Sequence, residues 1–204
     1  TLKVTPPYSL FNDQDYKTAS QAEKYKWIEY HKWKYKGEWY QSILGDLVLA
    51  INTEFGYLGY YNKDIGHSPF GTFDVGGDGI SGYNLYGRET IALRGYENSS
   101  LTPIVNNKKA GNIYERNYME LRYPVSLKRQ ATIYVLAFAE AGNAWYNFDK
   151  FDPLSLKRSA GIGLRAFLPM FGLLGIDWGY GFDEVPGRPD ANGGQFHFVI
   201  GQQF

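Results

Sequence analysis

Cysteine is absent from the 204 residues, and with it go disulfide scaffolds, thiolate zinc sites and thiol nucleophiles. Histidine is scarce: His31, His67 and His197 are too widely spaced for a local HxxxH or triad pattern. An excess of charge of either sign is also missing, since 21 basic residues face 21 acidic ones. No global field therefore draws in nucleic acid or anionic lipid, and no basic stripe with stacking aromatics stands out. No apolar run reaches the ~18 residues of a membrane-crossing helix. A membrane stays open as a setting, because spanning strands carry a much weaker signal. Neither an initiator Met nor a signal peptide precedes Thr1, so the chain is expected to be mature or a piece of something longer.

Aromatics and glycine are plentiful. Aromatic residues make up 18% of the chain, beside 24 glycines, at a mean hydropathy of −0.40. That combination suits strands with one apolar and one polar face. Period-2 alternation recurs along the sequence. A stub at residues 2–8 stops at Pro6-Pro7. In residues 25–40, Trp33, Tyr35 and Trp39 alternate with Lys32, Lys34, Lys36 and Glu38. Glu29, His31, Ile28 and Tyr30 break that pattern. Residues 47–60 set Leu49, Ile51, Phe55 and Tyr57 against Asn52, Glu54 and Gly56. Residues 113–125 oppose Met119, Leu121 and Tyr123 to Arg116, Glu120 and Arg122. Residues 131–145 are apolar on both faces, which predicts cover on both sides. Residues 159–168, 174–183 and 195–204 complete the series, with Asp177 and His197 on polar faces.

Each apolar face persists for about ten residues, enough to cross a bilayer at a tilt. The connections alternate short and long. The sequence therefore predicts an all-β fold, an antiparallel transmembrane β-barrel or part of one. Residues 62–112 form one long glycine-rich loop, the kind of segment that tends to carry function. Near its end sits Leu93-Arg94-Gly95-Tyr96, an arginine peg in need of a carboxylate socket.

Glu120 and Glu140 are the candidate socket, on the non-lipid faces of two strands joined by a short turn. A carboxylate pair could serve acid–base chemistry. As partners of one arginine fork they form a structural lock, and that reading is preferred. Gly77-Asp78-Gly79-Ile80-Ser81-Gly82 fits GxGxxG formally but lacks the strand–helix setting of a dinucleotide site. Asp74 and Asp78 lack the ligand spacing of a calcium loop. The lysine row from Lys26 to Lys36 reads as a wet barrel interior. No catalytic residue, metal site or cofactor is expected, and no enzyme activity.

With these residues in place, the chain resembles the C-terminal barrel half of the BamA family of outer-membrane assembly factors. Leu93-Arg94-Gly95-Tyr96 is similar to that family's (V/I/L)-R-G-(F/Y) loop motif. Glu120 in Met119-Glu120-Leu121-Arg122-Tyr123-Pro124 and Glu140 in Phe138-Ala139-Glu140-Ala141-Gly142 match its acidic wall positions. Gly161-Ile162-Gly163-Leu164-Arg165 matches its penultimate hairpin. The closing strand is matched by the run from Phe196 through Phe198, Ile200 and Gly201 to the terminal aromatic Phe204. The resemblance implies about eight strands of a sixteen-strand barrel, over residues 1–204, in the bacterial outer membrane. It implies a loop lock of Arg94, Gly95, Tyr96, Glu120 and Glu140. It also implies a gate strand carrying Phe196, Phe198, Ile200, Gly201 and Phe204, to which nascent outer-membrane proteins add by β-augmentation. Implied partners are those clients, accessory lipoprotein subunits, outer-membrane lipids, and the first barrel half and POTRA domains of the same protein. A two-partner secretion translocase shares the loop motif and is the alternative. A self-contained eight-strand barrel ranks lower, and a soluble calyx conflicts with outward Trp178, Tyr180 and Phe182.

Overall fold

A computed structural model describes residues 1–12, 14–80, 87–128 and 130–201. Among the described residues there are twelve strands: β1 (Leu2–Val4), β2 (His31–Leu44), β3 (Leu47–Gly59), β4 (Phe73–Val75), β5 (Glu89–Ile91), β6 (Ile104–Val105), β7 (Lys108–Lys109), β8 (Ile113–Lys128), β9 (Ala131–Trp145), β10 (Lys157–Leu168), β11 (Gly172–Gly181) and β12 (Gly194–Gly201). Eight of them make one antiparallel sheet in the order β1-β2-β3-β8-β9-β10-β11-β12. Short connections join β2 to β3, β8 to β9 and β10 to β11 at one end. Gly45, at φ +55°, makes the first of these without the Cβ penalty. The long connections all lie at the other end.

Side-chain polarity is inverted relative to a soluble sheet. Trp33, Tyr35, Trp39, Leu121, Tyr123, Ile162, Trp178 and Phe198 stand exposed on the outer face. Lys32, Asn52, Glu120, Glu140, Arg165, Asp177 and His197 are buried on the inner one. An apolar exterior and polar interior are what strands need in a bilayer. No helix among the described residues is long and apolar enough to cross a membrane. The expected antiparallel barrel architecture is present as an open sheet. Among the described residues, β1 pairs only with β2 and β12 only with β11.

The long loop folds back onto the inner face. It buries Phe73, Val75, Leu93 and Tyr96 against Leu58 and Tyr114 of the wall, and this is where the apolar core sits. Two pairings inside the loop have no sequence period to announce them. β4 and β5 run parallel, and β6 and β7 form a two-residue-per-arm hairpin. The loop therefore covers the inner side of β9, as its two apolar faces required.

Two boundaries differ from the alternation pattern. The strand expected at residues 25–40 begins only at His31 and runs on to Leu44. Before it, Ser20 and Glu23 form a capping box on the short helix α1 (Gln21–Lys24). Glu29 then turns in to accept bonds from the Ser9 backbone N–H and hydroxyl at 2.8 and 2.6 Å. Of the residues that broke the alternation, Ile28, Glu29 and Tyr30 lie outside the sheet and Lys26 with them, while His31 opens β2 opposite Gly59. At the other boundary, β8 continues through Lys128, three residues past its expected end. A bulge between Pro124 and Ser126 absorbs the proline there.

Candidate functional site: an arginine in a wall of carboxylates

Strand register decides which inward carboxylates can meet. β8 and β9 pair Tyr118 with Glu140 and Glu120 with Phe138, so Glu120 and Glu140 lie diagonally across one ladder. β11 carries Asp177 on the same inner face, two strands away. The intervening β10 presents Gly161 and Gly163 inward. A Cβ at Gly163 would fall 1.9 Å from Asp177 Oδ1, and one at Gly161 would fall 2.5 Å from the Phe138 ring. These glycines open the space in which acids from three strands converge.

Arg94 fills that space. Its Nε and Nη2 donate to Glu140 Oε1 at 2.9 and 2.6 Å, and Nη2 also donates to Glu120 Oε1 at 2.7 Å. Nη1 donates to Asp177 Oδ2 at 3.0 Å, and the Arg94 backbone N–H donates to Glu140 Oε2 at 2.8 Å. The guanidinium carbon lies 3.5 Å above the Phe138 ring, adding a cation–π contact. Burial works against the charge on Arg94, but Glu140, Glu120 and Asp177 outweigh it and hold the group further toward its protonated form than usual. The peg is a permanent cation.

The wall also has cations of its own. Arg116 donates to Glu140 at 2.8 Å, Arg122 to Glu120 at 2.8 Å, and Arg165 to Asp177 at 2.5 and 2.7 Å. Glu54 lies 3.7 Å from Arg116. Each acid that holds Arg94 thus keeps one further arginine, so the socket is internally paired before the peg arrives.

Gly95 and Tyr96 seat the turn that follows. Gly95 has φ +83°, a conformation that favours glycine. Its backbone presses on β11, where a Cβ at Gly181 would lie 2.3 Å from the Gly95 carbonyl oxygen. The Gly95 N–H donates to His197 Nε2 on β12 at 2.8 Å. The buried Tyr96 hydroxyl donates to the Arg158 carbonyl at 2.7 Å and accepts from the Asp183 N–H at 3.3 Å. Burial pushes the Tyr96 phenol up to about 12, so it remains a donor at any physiological pH.

Arg94, Gly95, Tyr96, Glu120 and Glu140, singled out from sequence, are therefore brought together. Asp177, His197 and the three wall arginines were not singled out. Alternation had placed Asp177 and His197 on the polar face, but nothing local says that four strands curve around one guanidinium. Of the candidate gate residues, Phe196, Phe198 and Ile200 point outward and are exposed. Gly201 ends β12 opposite Leu173, and Phe204 lies outside the described residues. The inner lysines divide. Lys32 and Lys34 both pair with Glu89 of the loop, while Lys36 pairs with Glu38. Of the formal GxGxxG, Ser81 and Gly82 lie outside the described residues. Gly77 bridges Leu93 in antiparallel fashion, so this stretch braces the peg.

The sequence matches the Omp85 superfamily domain over residues 5–204. Among solved structures the chain is similar to BamA from Haemophilus ducreyi lacking POTRA domains 1–3. The TM-score is 0.63 at 19% sequence identity, with 86% of this chain and 35% of that one covered. At that identity the likeness concerns the fold, and the chain spans about a third of the structure's length. No curated protein sequence matches.

Proposed function

Because the chain belongs to the Omp85 superfamily of outer-membrane barrel proteins, we propose that it is the client-handling part of an outer-membrane β-barrel assembly factor. Here β12 serves as one lip of a lateral gate, and a client strand adds to its free edge. The observation that carries this reading is the state of β12. Among the described residues it holds eight, pairs along one side, and is tied to the loop by the Gly95–His197 bond. An unpaired edge offers backbone donors and acceptors in the geometry that β-augmentation uses. The arginine lock would keep the loop seated and the wall curved while β12 exchanges partners. Nothing in this mechanism makes or breaks a covalent bond. On this reading the remaining strands of the barrel, POTRA domains and lipoprotein subunits belong to the working assembly, and nascent outer-membrane proteins are its substrates.

The test is reconstitution of the complete parent protein in liposomes with an unfolded outer-membrane barrel as client. Acceleration of client folding into a protease-resistant, heat-modifiable form supports assembly. Transfer of a soluble extended passenger into the lumen, with no effect on the barrel client, would instead assign the secretion role.

A further inference from the structure

The loop between β9 and β10 does not stand up from the barrel. It folds over the outside. β3, β8 and β9 run for 13, 16 and 15 residues, longer than the ~9–11 that a tilted strand needs to cross a bilayer. On the outer face of β8, Met119, Leu121, Tyr123, Val125 and Leu127 form the apolar band. Toward the loop end the band gives way to a polar row. Thr53 donates to Asn117 at 2.5 Å, Asn117 to Glu115 at 2.8 Å, and Asn143, in register with Glu115, donates to the Ser155 carbonyl at 2.7 Å. A polar row of this kind suits the level at which spanning strands leave hydrocarbon.

Beyond the row the outer face turns aromatic again. Tyr57, Ile113 and Trp145 lie side by side in register, next to Phe55. Here the chain covers itself. Phe148 stacks on Tyr57 at 4.7 Å, and Phe151 packs between Trp145 at 4.9 Å and Phe55 at 6.0 Å. The chain then descends to the polar row, where Asn143 fixes Ser155. Asp152 turns it there, accepting from the Leu154 N–H at 3.0 Å and, through its carbonyl, from the Ser155 N–H at 3.1 Å. The outcome is an outward-held Leu154, 92% exposed, with Phe148 at 52%. A leucine held outward by a dedicated turn gains nothing from water.

We propose that residues 146–156 are an interfacial anchor whose Leu154 and Phe148 enter the outer leaflet at the boundary between headgroups and acyl chains. The occupant is lipid because the tip is held at the level of the polar row, continuous with the lipid-facing wall. Asp149, Lys150 and Asp152 beside it are of mixed sign, so the attraction is apolar rather than a charge for a headgroup. The anchor fixes how deep β9 and β10 sit and braces the part of the wall that carries Glu140. It holds whether the barrel inserts clients or exports a partner.

Leu154→Cys tests it, in the parent protein freed of other cysteines, labelled with an environment-sensitive fluorophore and reconstituted in bilayers. Val135→Cys in the mid-wall and Asp190→Cys in an exposed loop serve as references. Lipid spin-labelled near the glycerol end of its acyl chain should quench the Leu154 probe several-fold more than the Asp190 probe, with iodide reaching it weakly. Quenching that tracks Asp190 would overturn the anchor. Shielding from both quenchers would overturn it too, since it would mean a protein cover. Leu154 has no packing to lose, so the substitution leaves the fold intact.

Discussion

At the scale of single residues the lock is asymmetric, and substitutions should expose this. Removing Arg94 leaves Glu140 with Arg116, Glu120 with Arg122 and Asp177 with Arg165. No carboxylate is stranded, so Arg94→Ala in the complete barrel should cost about 2 kcal/mol, the scale of lost charge-assisted bonds. Glu140→Ala instead leaves Arg94 and Arg116 both short of a partner in a buried site. Its cost should be larger, about 3–5 kcal/mol. The check is the temperature at which each variant loses its heat-resistant electrophoretic migration, which should fall further for Glu140→Ala. His197 gives a second prediction. Its Nε2 must be unprotonated to accept from Gly95, so a side chain that can still accept should do the same work. Amide exchange at Gly95 and Tyr96 should speed up roughly tenfold in His197→Phe and return most of the way in His197→Gln.

The same residues show what a sequence can and cannot reveal. Arg94, Glu120 and Glu140 were legible because an arginine between Leu and Gly-Tyr and two acids on non-lipid faces need each other in a shielded interior. Asp177 was legible as inward-facing and no more, because its meeting with Arg94 depends on Gly161 and Gly163 leaving room across β10. Such a contact is set by curvature over several strands, and alternation within one strand carries no trace of it. His197 was passed over for a related reason. A lone histidine in a strand shows its partner only when a loop about 100 positions away has been placed, here by the Gly95–His197 bond at a separation of 102.

At the scale of elements, ion pairs among the described residues fasten the long loop to the wall at two separated points, the Arg94 socket and Glu89. Burial works against the Glu89 carboxylate, but Lys34 and Lys32 more than compensate and hold it below the usual carboxylate range. A depressed acid contributes stability that is complete above its unfolded value and disappears as pH falls through its folded one. Proteolytic protection of the loop around Glu89 should therefore be full at neutral pH and decline in acid, below the ordinary glutamate range. Glu89→Gln should show the weakened protection already at pH 7 and a smaller further loss on acidification. Limited proteolysis of the two proteins across that range checks it. Strand periods found the wall strands well where, as in β3 and β11, one face is apolar and the other polar, and β9 stood out by being apolar on both. They failed at residues 25–30, where Glu29 and Ser9 form a local bond that competes with the ladder, and at Pro124, where a bulge lets a strand continue past a residue that usually ends one.

For the whole molecule, the open sheet is the main fact. Among the described residues, eight antiparallel strands, apolar outside and polar inside, present edges at β1 and β12, and exposed edges in a bilayer demand partners. On the proposed function, the β1 edge adjoins the rest of the barrel and β12 alternates between that barrel's first strand and a client. Photo-crosslinking along β12 tests this most directly. A photoreactive residue at Phe196, Phe198 or Ile200 of the complete parent protein is compared with one at Leu164 in mid-wall β10, during synthesis of outer-membrane barrel clients in cells. The β12 positions should capture client barrel proteins in a position-dependent ladder, and Leu164 should capture none. Client crosslinks equally distributed over β10 and β12, or absent from β12, would contradict a gate at the last strand.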